Sequence, residues 1–197
     1  MGGKSAKRRS RSQPADILKA AAPFLKKRGT GAPVDQIMKA TGLTSGALYS
    51  QFKNKDDLCT QAICGALDAT LDSYRAAIRQ HGKDGLRLIV ERYLSDSQRG
   101  DVAGGCTFAA LGGDMAKAGP RARRSYQQRI QAMIDVMAGG LDDAEAAPAR
   151  RARAELIIST MLGALIFARA MSDAAEAGKL LAQARASVLS LARRDAV

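Results

Sequence analysis

Tryptophan is absent from the 197 residues, histidine occurs once, and tyrosine and phenylalanine number four each. With His81 alone, beside Gly82 at a helix end, no serine or cysteine nearby in sequence is paired with it to make a nucleophile, and no GxGxxG or P-loop pattern is present to cradle phosphates. An enzyme is therefore not expected. The three cysteines, Cys59, Cys64 and Cys106, are odd in number and form no CxxC pair, which argues against a disulfide framework and a zinc ribbon and points to reduced thiols in a cytoplasm. Cys59 and Cys64 face different sides of one helix, so no shared metal is expected, and neither a metal nor a cofactor is predicted. The most apolar run, Leu156 to Ala168, falls short of the roughly 18 to 20 residues of a membrane span and reads as a buried helix. No apolar stretch follows the basic start MGGKSAKRRSRSQ, so it is not a secretory leader.

Acid is scarce where base is plentiful. The formal charge is +12, and between Met1 and Lys55 twelve Lys and Arg face only Asp16 and Asp35; from Asp56 onward 19 basic residues nearly balance 17 acidic ones. A basic run is often no more than a solvated face or a solubility tail. Residues 1–13, attached to a basic folded module, read as an arm that seeks a polyanion.

Runs of alternating β-branched residues are missing, whereas apolar residues recur at steps of three and four, so the fold is predicted to be all-α. Pro14 opens a first helix that stops at Gly29, and Pro33 opens a short second one. Thr44 is placed to cap a third, Ser45 to Gln51, with Leu43 and Leu48 spaced as a hydrophobic staple. Asn54 caps a fourth that continues to Gly82. Helices then follow over Leu86–Leu94, from Cys106 to Lys117, after Pro120, after Pro148 to about Met171, and from Ala174 to Arg193, with a glycine-rich break at GDVAGG.

Two short helices joined by a glycine-containing turn, preceded by a third helix and rich in positive charge, describe a helix-turn-helix. On this reading residues 14–60 form the DNA-binding domain and residues 61–197 the larger helical remainder. Ser45, Gly46 and Ala47 are small enough for the backbone to approach base edges, with Ser45 and Gln51 able to hydrogen-bond. Leu48 and Phe52 turn inward. Tyr49 stays outside, where its hydroxyl can reach a phosphate, and Lys53 and Lys55 flank the start of the fourth helix, where free N–H groups also favour phosphate. The plainer alternative is a surface tyrosine beside a loop.

The stretch GLTSGALYSQFKNKDDL, preceded by ILKAAAPFLKKRG and VDQIMKA, resembles the amino-terminal domain of the TetR family of bacterial transcriptional regulators, over about a quarter of the chain. The resemblance implies that Thr44, Ser45, Gly46 and Ala47 open the recognition helix, that Tyr49 contacts phosphate and that Lys55 contacts the DNA backbone; Ser50 and Lys53 complete the expected DNA-facing set. Gln51 stands where many members have histidine. Ala32, Pro33, Val34 and Asp35 stand where the family often offers a hydroxyl or basic residue to phosphate.

The resemblance also implies a carboxy-terminal part that binds a small-molecule inducer and pairs two subunits. Tyr74, Cys106, Phe108, Met115, Met133, Met137, Met161 and Phe167 are the candidate pocket residues, since Met adapts to irregular ligands, although such residues are more often plain core. Cys106, at a helix start beside two glycines, is either a reactive thiol or an inert buried one. The last two long helices carry small residues, Gly163, Ala164, Ala184 and Ala186, and are expected to form the homodimer interface. The function that follows is a cytoplasmic, ligand-released repressor acting as a dimer on a near-palindromic DNA operator. A non-specific nucleic-acid or acidic-surface binder, driven by the basic region alone, is the rival; only a sequence reader keeps a preference for its own site at fixed salt.

Overall fold

The computed structural model describes residues 13–42, 45–141 and 146–193, and over these the chain contains helices and no strands. In order the helices are α1 (Pro14–Arg28), α2 (Val34–Thr41), α3 (Ser45–Gln51), α4 (Lys55–His81), α5 (Lys83–Tyr93), α6 (Asp96–Gly100), α7 (Thr107–Ala116), α8 (Pro120–Ala138), α9 (Ala147–Ala170) and α10 (Ala174–Arg193). Pro14 lies in the first turn of α1, and Lys26, Lys27 and Arg28 in its last turn complement the helix dipole. Pro23 sits inside the helix, where its missing N–H leaves the Lys19 carbonyl without an intrahelical donor. Only α6 was not foreseen. Five residues carry no apolar period, and its one local signal is Ser95, whose Oγ accepts the Gln98 N–H at 3.2 Å as a helix cap.

α4 holds the molecule together. Its 27 residues reach about 40 Å at 1.5 Å per residue. Leu58, Ala62, Leu67 and Leu71 are buried along it, so one helix packs on α1 near its start and on α5 and α8 farther along. The apolar core is accordingly continuous from Ile17 to Val188, and the three amino-terminal helices are not a module on a linker. The start of α4 is fixed by polar contacts. Asn54 Oδ1 accepts the Asp57 N–H at 2.9 Å, and Asp57 Oδ2 accepts the Lys53 N–H at 3.1 Å. This differs from a full capping box only in that the acid reaches one residue farther back.

The expectation that Leu156–Ala168 is simply buried needs correction. Ile157, Met161, Ala164, Leu165 and Ala168 of α9 are buried, but Leu156, Ile166 and Phe167 are 51%, 45% and 65% exposed. At 100° per residue these three, with Gly163, lie on the opposite face. Between Leu156 and Ala168, α9 carries apolar residues on both faces, and the monomer covers one of them.

A Cβ on Gly85 would fall 2.5 Å from the Ala77 carbonyl oxygen and 2.7 Å from the Ile78 Cα, so α5 meets α4 backbone to backbone. Gly85→Ala is expected to destabilise the fold by about 1–3 kcal/mol, as overpacking does; urea unfolding with an unchanged midpoint would refute the contact. At the start of α4, Asn54→Ala should cost about 1 kcal/mol in the same assay. The Lys53 N–H holds the Asp57 carboxyl below the usual carboxylate range. Its contribution is therefore present above a pH of about 4 and is lost as the pH falls through the depressed folded value. Thermal melts of Asp57→Ala and the parent chain should differ at pH 7 and converge in strong acid.

Candidate nucleic-acid interface and cavity

The three amino-terminal helices present α3 outward by burying one of its faces. Leu48 and Phe52 are buried in the core with Ile17, Leu25 and Ile37, and the Phe52 N–H closes the helix on the Leu48 carbonyl at 2.8 Å. On the other side Gly46 and Ser50 are exposed, and Tyr49 is 61% exposed. Lys53 is exposed and Lys55 half-exposed at the end of this surface. Phenol, ammonium groups and a bare glycine thus share one face, which is chemistry suited to phosphates and a groove floor.

Gln51 departs from the expectation. Its side-chain Oε1 is buried without a hydrogen-bond partner, because positions 48, 51 and 52 form the inward stripe of α3. The amide oxygen is therefore not available to a base edge in this conformation. Leu43 and Thr44, the proposed staple and cap, lie outside the described residues, as do the basic arm over residues 1–12 and the side chains of Ser45 and Ala47.

Behind this head lies a cavity of about 780 Å³, within the range of small-molecule sites. Tyr74, Cys106, Phe108, Met133, Met137 and Met161 line it. Met115 does not: two turns along α7 from Phe108, it is packed in the core instead. Phe167 does not either, since the inward stripe of α9 runs through Met161, Ala164 and Ala168 and leaves Phe167 on the outer face.

Two walls escaped the sequence reading. α1 contributes Lys19, Pro23 and Lys26, and α5 contributes Leu88, Ile89, Arg92 and Tyr93. Nothing in α1 marks it as a cavity wall, whereas Tyr93, on the apolar side of α5 with a polar tip, was a usable signal. The Phe108 and Tyr126 rings meet edge to face at 5.4 Å.

Cys106 caps α7, its Sγ accepting the Ala109 N–H at 3.4 Å, and is buried. Desolvation pushes the Cys59 thiol up to about 11 and raises that of Cys64 as well, so both remain protonated at neutral pH. Among the described residues no group of His, Cys, Asp or Glu is arranged to hold a metal ion, and no helix is long and apolar enough to cross a membrane.

Residues 17–62 match the family model for bacterial regulatory proteins of the tetR family. No curated protein matches the chain in sequence. Among solved structures, the reduced form of E. coli NemR superposes with a TM-score of 0.78 at 16% identity, covering 93% of this chain and 98% of that one. A TetR transcriptional regulator from Legionella pneumophila gives 0.75 at 17% identity, over 98% and 100% of the two chains. The FadR regulator of Bacillus subtilis, in complex with stearoyl-CoA, gives 0.68 at 16%, over 91% and 98%. The matched segment contains the exposed face of α3, and the rest of the chain follows the same helical architecture: the amino end matches the tetR-family model, and the whole chain shares the fold of the TetR regulators it superposes on.

Proposed function

We propose that the protein is a ligand-released transcriptional repressor, acting in the cytoplasm as a homodimer on a near-palindromic operator. The observation that carries the reading is the exposed Tyr49 on a helix whose other face is locked into the core. That ring has no packing role in the monomer and stands next to Lys53 and Lys55, so a sugar-phosphate strand is the partner its surroundings suit. Gly46 beside it offers a close backbone approach. The base contacts fall to this end of α3, since Gln51 turns inward.

Dimerisation is supported by the outer face of α9. Leu156, Ile166 and Phe167 are exposed around Gly163, and α10 packs alongside with half-buried Leu180 and Ala184. Two copies pairing α9 and α10 would cover this apolar surface and set two α3 helices about one DNA turn, roughly 34 Å, apart. The cavity behind the head supports a small-molecule effector. FadR, with its bound acyl-CoA, has the same fold and offers one precedent for the kind of ligand such a body accepts.

Release follows by linkage. A ligand that fits one arrangement of α1, α4 and the central helices better than another lowers DNA affinity by that difference. The basic arm alone would give binding without preference.

Selection from random duplexes at fixed salt should yield a two-fold symmetric winner, and an unstructured pool of survivors would favour the non-specific rival. Tyr49→Ala should then weaken binding to the winner and to unrelated duplex alike, by about ten-fold, as loss of a phosphate contact does, whereas Gly46→Ser should change which bases are preferred.

A further inference from the structure

The charge on the cavity wall is of one sign. Lys19 and Lys26 of α1 and Arg92 of α5 line it, and among the described residues no Asp or Glu does. Lys26 is half-buried, and its Nζ makes one hydrogen bond, to the Gly105 carbonyl at 3.0 Å. Its two other N–H bonds have no protein acceptor among the described residues. Burial pulls the ammonium below its ordinary range, and the nearby Asp101 carboxylate offsets this only in part. Asp101 is itself exposed, and its Oδ1 accepts the Gly104 N–H at 2.7 Å.

A second unfilled demand lies close by. The Tyr93 hydroxyl is buried with no oxygen or nitrogen partner, and the nearest polar groups are the Cys106 thiol, a weak hydrogen-bonding group, and the Tyr74 hydroxyl. A buried phenol with only a thiol beside it is a poorly satisfied donor, which native structures rarely leave so. Lys26 also interacts with Cys106, so the ammonium and the phenol belong to one end of the cavity. Leu88, Met137, Ile158 and Leu162 supply apolar wall elsewhere.

We infer that the cavity takes an amphipathic organic anion, whose acid group is drawn to the Lys26 ammonium and the Tyr93 hydroxyl and whose hydrocarbon body lies against α8 and α9. This rests on the reading of the cavity as the effector site, and it adds how occupancy reaches the DNA-binding head. Lys26 stands on α1. Among the described residues two hydrogen bonds involving side chains tie the end of that helix and the turn after it to the body behind: Lys26 to the Gly105 carbonyl, and the Thr30 N–H to Asp114 Oδ2 at 2.7 Å. An incoming acid fills the two remaining N–H bonds of Lys26 and draws the ammonium toward the cavity, away from the Gly105 carbonyl. That carbonyl is not free to follow, because the Arg169 guanidinium donates to the carbonyls of Gln98, Arg99 and Asp101, and the loop is packed so closely that a Cβ on Gly105 would fall 2.3 Å from Asp101 O. Occupancy therefore loosens α1 from the body and leaves the loop in place.

The test compares two probes that share one aromatic body, 8-anilinonaphthalene-1-sulfonate and the neutral N-phenyl-1-naphthylamine, titrated by fluorescence into the full chain, which has no tryptophan to interfere. The sulfonate is expected to bind about ten-fold tighter or more. Lys26→Met should bring it close to the neutral probe while leaving the neutral probe unchanged, and Lys26→Arg should keep the preference. Equal affinity on the unaltered chain, which requires no variant to fold, overturns the inference, as does a preference that survives Lys26→Met. The selected duplex, followed in the same samples, should be released by the sulfonate from the parent chain and retained by Lys26→Met; release from both overturns the role of Lys26. A chain that prefers the anion but binds no duplex would overturn the repressor reading and leave the ligand class standing, and the reverse pattern would overturn the ligand class alone.

Discussion

The apolar stripe of α4 is the contact on which the other elements lean. Its first turns bury Leu58 and Ala62 in the core shared with α1, and later turns bury Leu67 and Leu71. Because a close-packed interior transmits displacement rather than absorbing it, a shift at one end of such a helix must be accommodated at the other. The amino-terminal head and the cavity are therefore parts of one mechanical unit.

α1 makes that unit tighter than a single shared helix would. It buries Ile17, Ala21 and Leu25 in the core that also holds Leu48 and Phe52 of the head, while Lys19, Pro23 and Lys26 form a wall of the cavity. One helix thus supports the recognition element with one face and meets the cavity with another. The proline within it removes an intrahelical bond at the cavity wall, a local softness that an uninterrupted helix would lack.

Charge is partitioned in a corresponding way. The outer surface of the head carries Tyr49, Lys53 and Lys55, and the cavity carries Lys19, Lys26 and Arg92. In water the first set is screened and exchangeable. In the cavity Lys19 and Arg92 are exposed as well, but Lys26 is partly desolvated, so a single hydrogen bond to Gly105 weighs more heavily on its state. The buried thiols of Cys59 and Cys64 take no part, since burial keeps them protonated.

Helix identity, the three-helix head and the outward placement of Tyr49 were all legible in the sequence, because each depends on neighbours within two turns: Pro14, Asn54, and Leu48 with Phe52 spaced four apart. Local sterics and capping decide such features before any long-range contact forms. α6 was illegible because five residues have no period, and the inward turn of Gln51 because an amide at the edge of an apolar stripe can go either way. Which face of α9 is buried, whether Phe167 or Met161 meets the cavity, and that Lys26 reaches Gly105 across 79 positions of chain were decided only by tertiary packing. A helical stretch with apolar residues on both faces, or a lysine on a basic helix, carries no local preference among partners, so the choice waits for the elements that arrive from elsewhere in the fold.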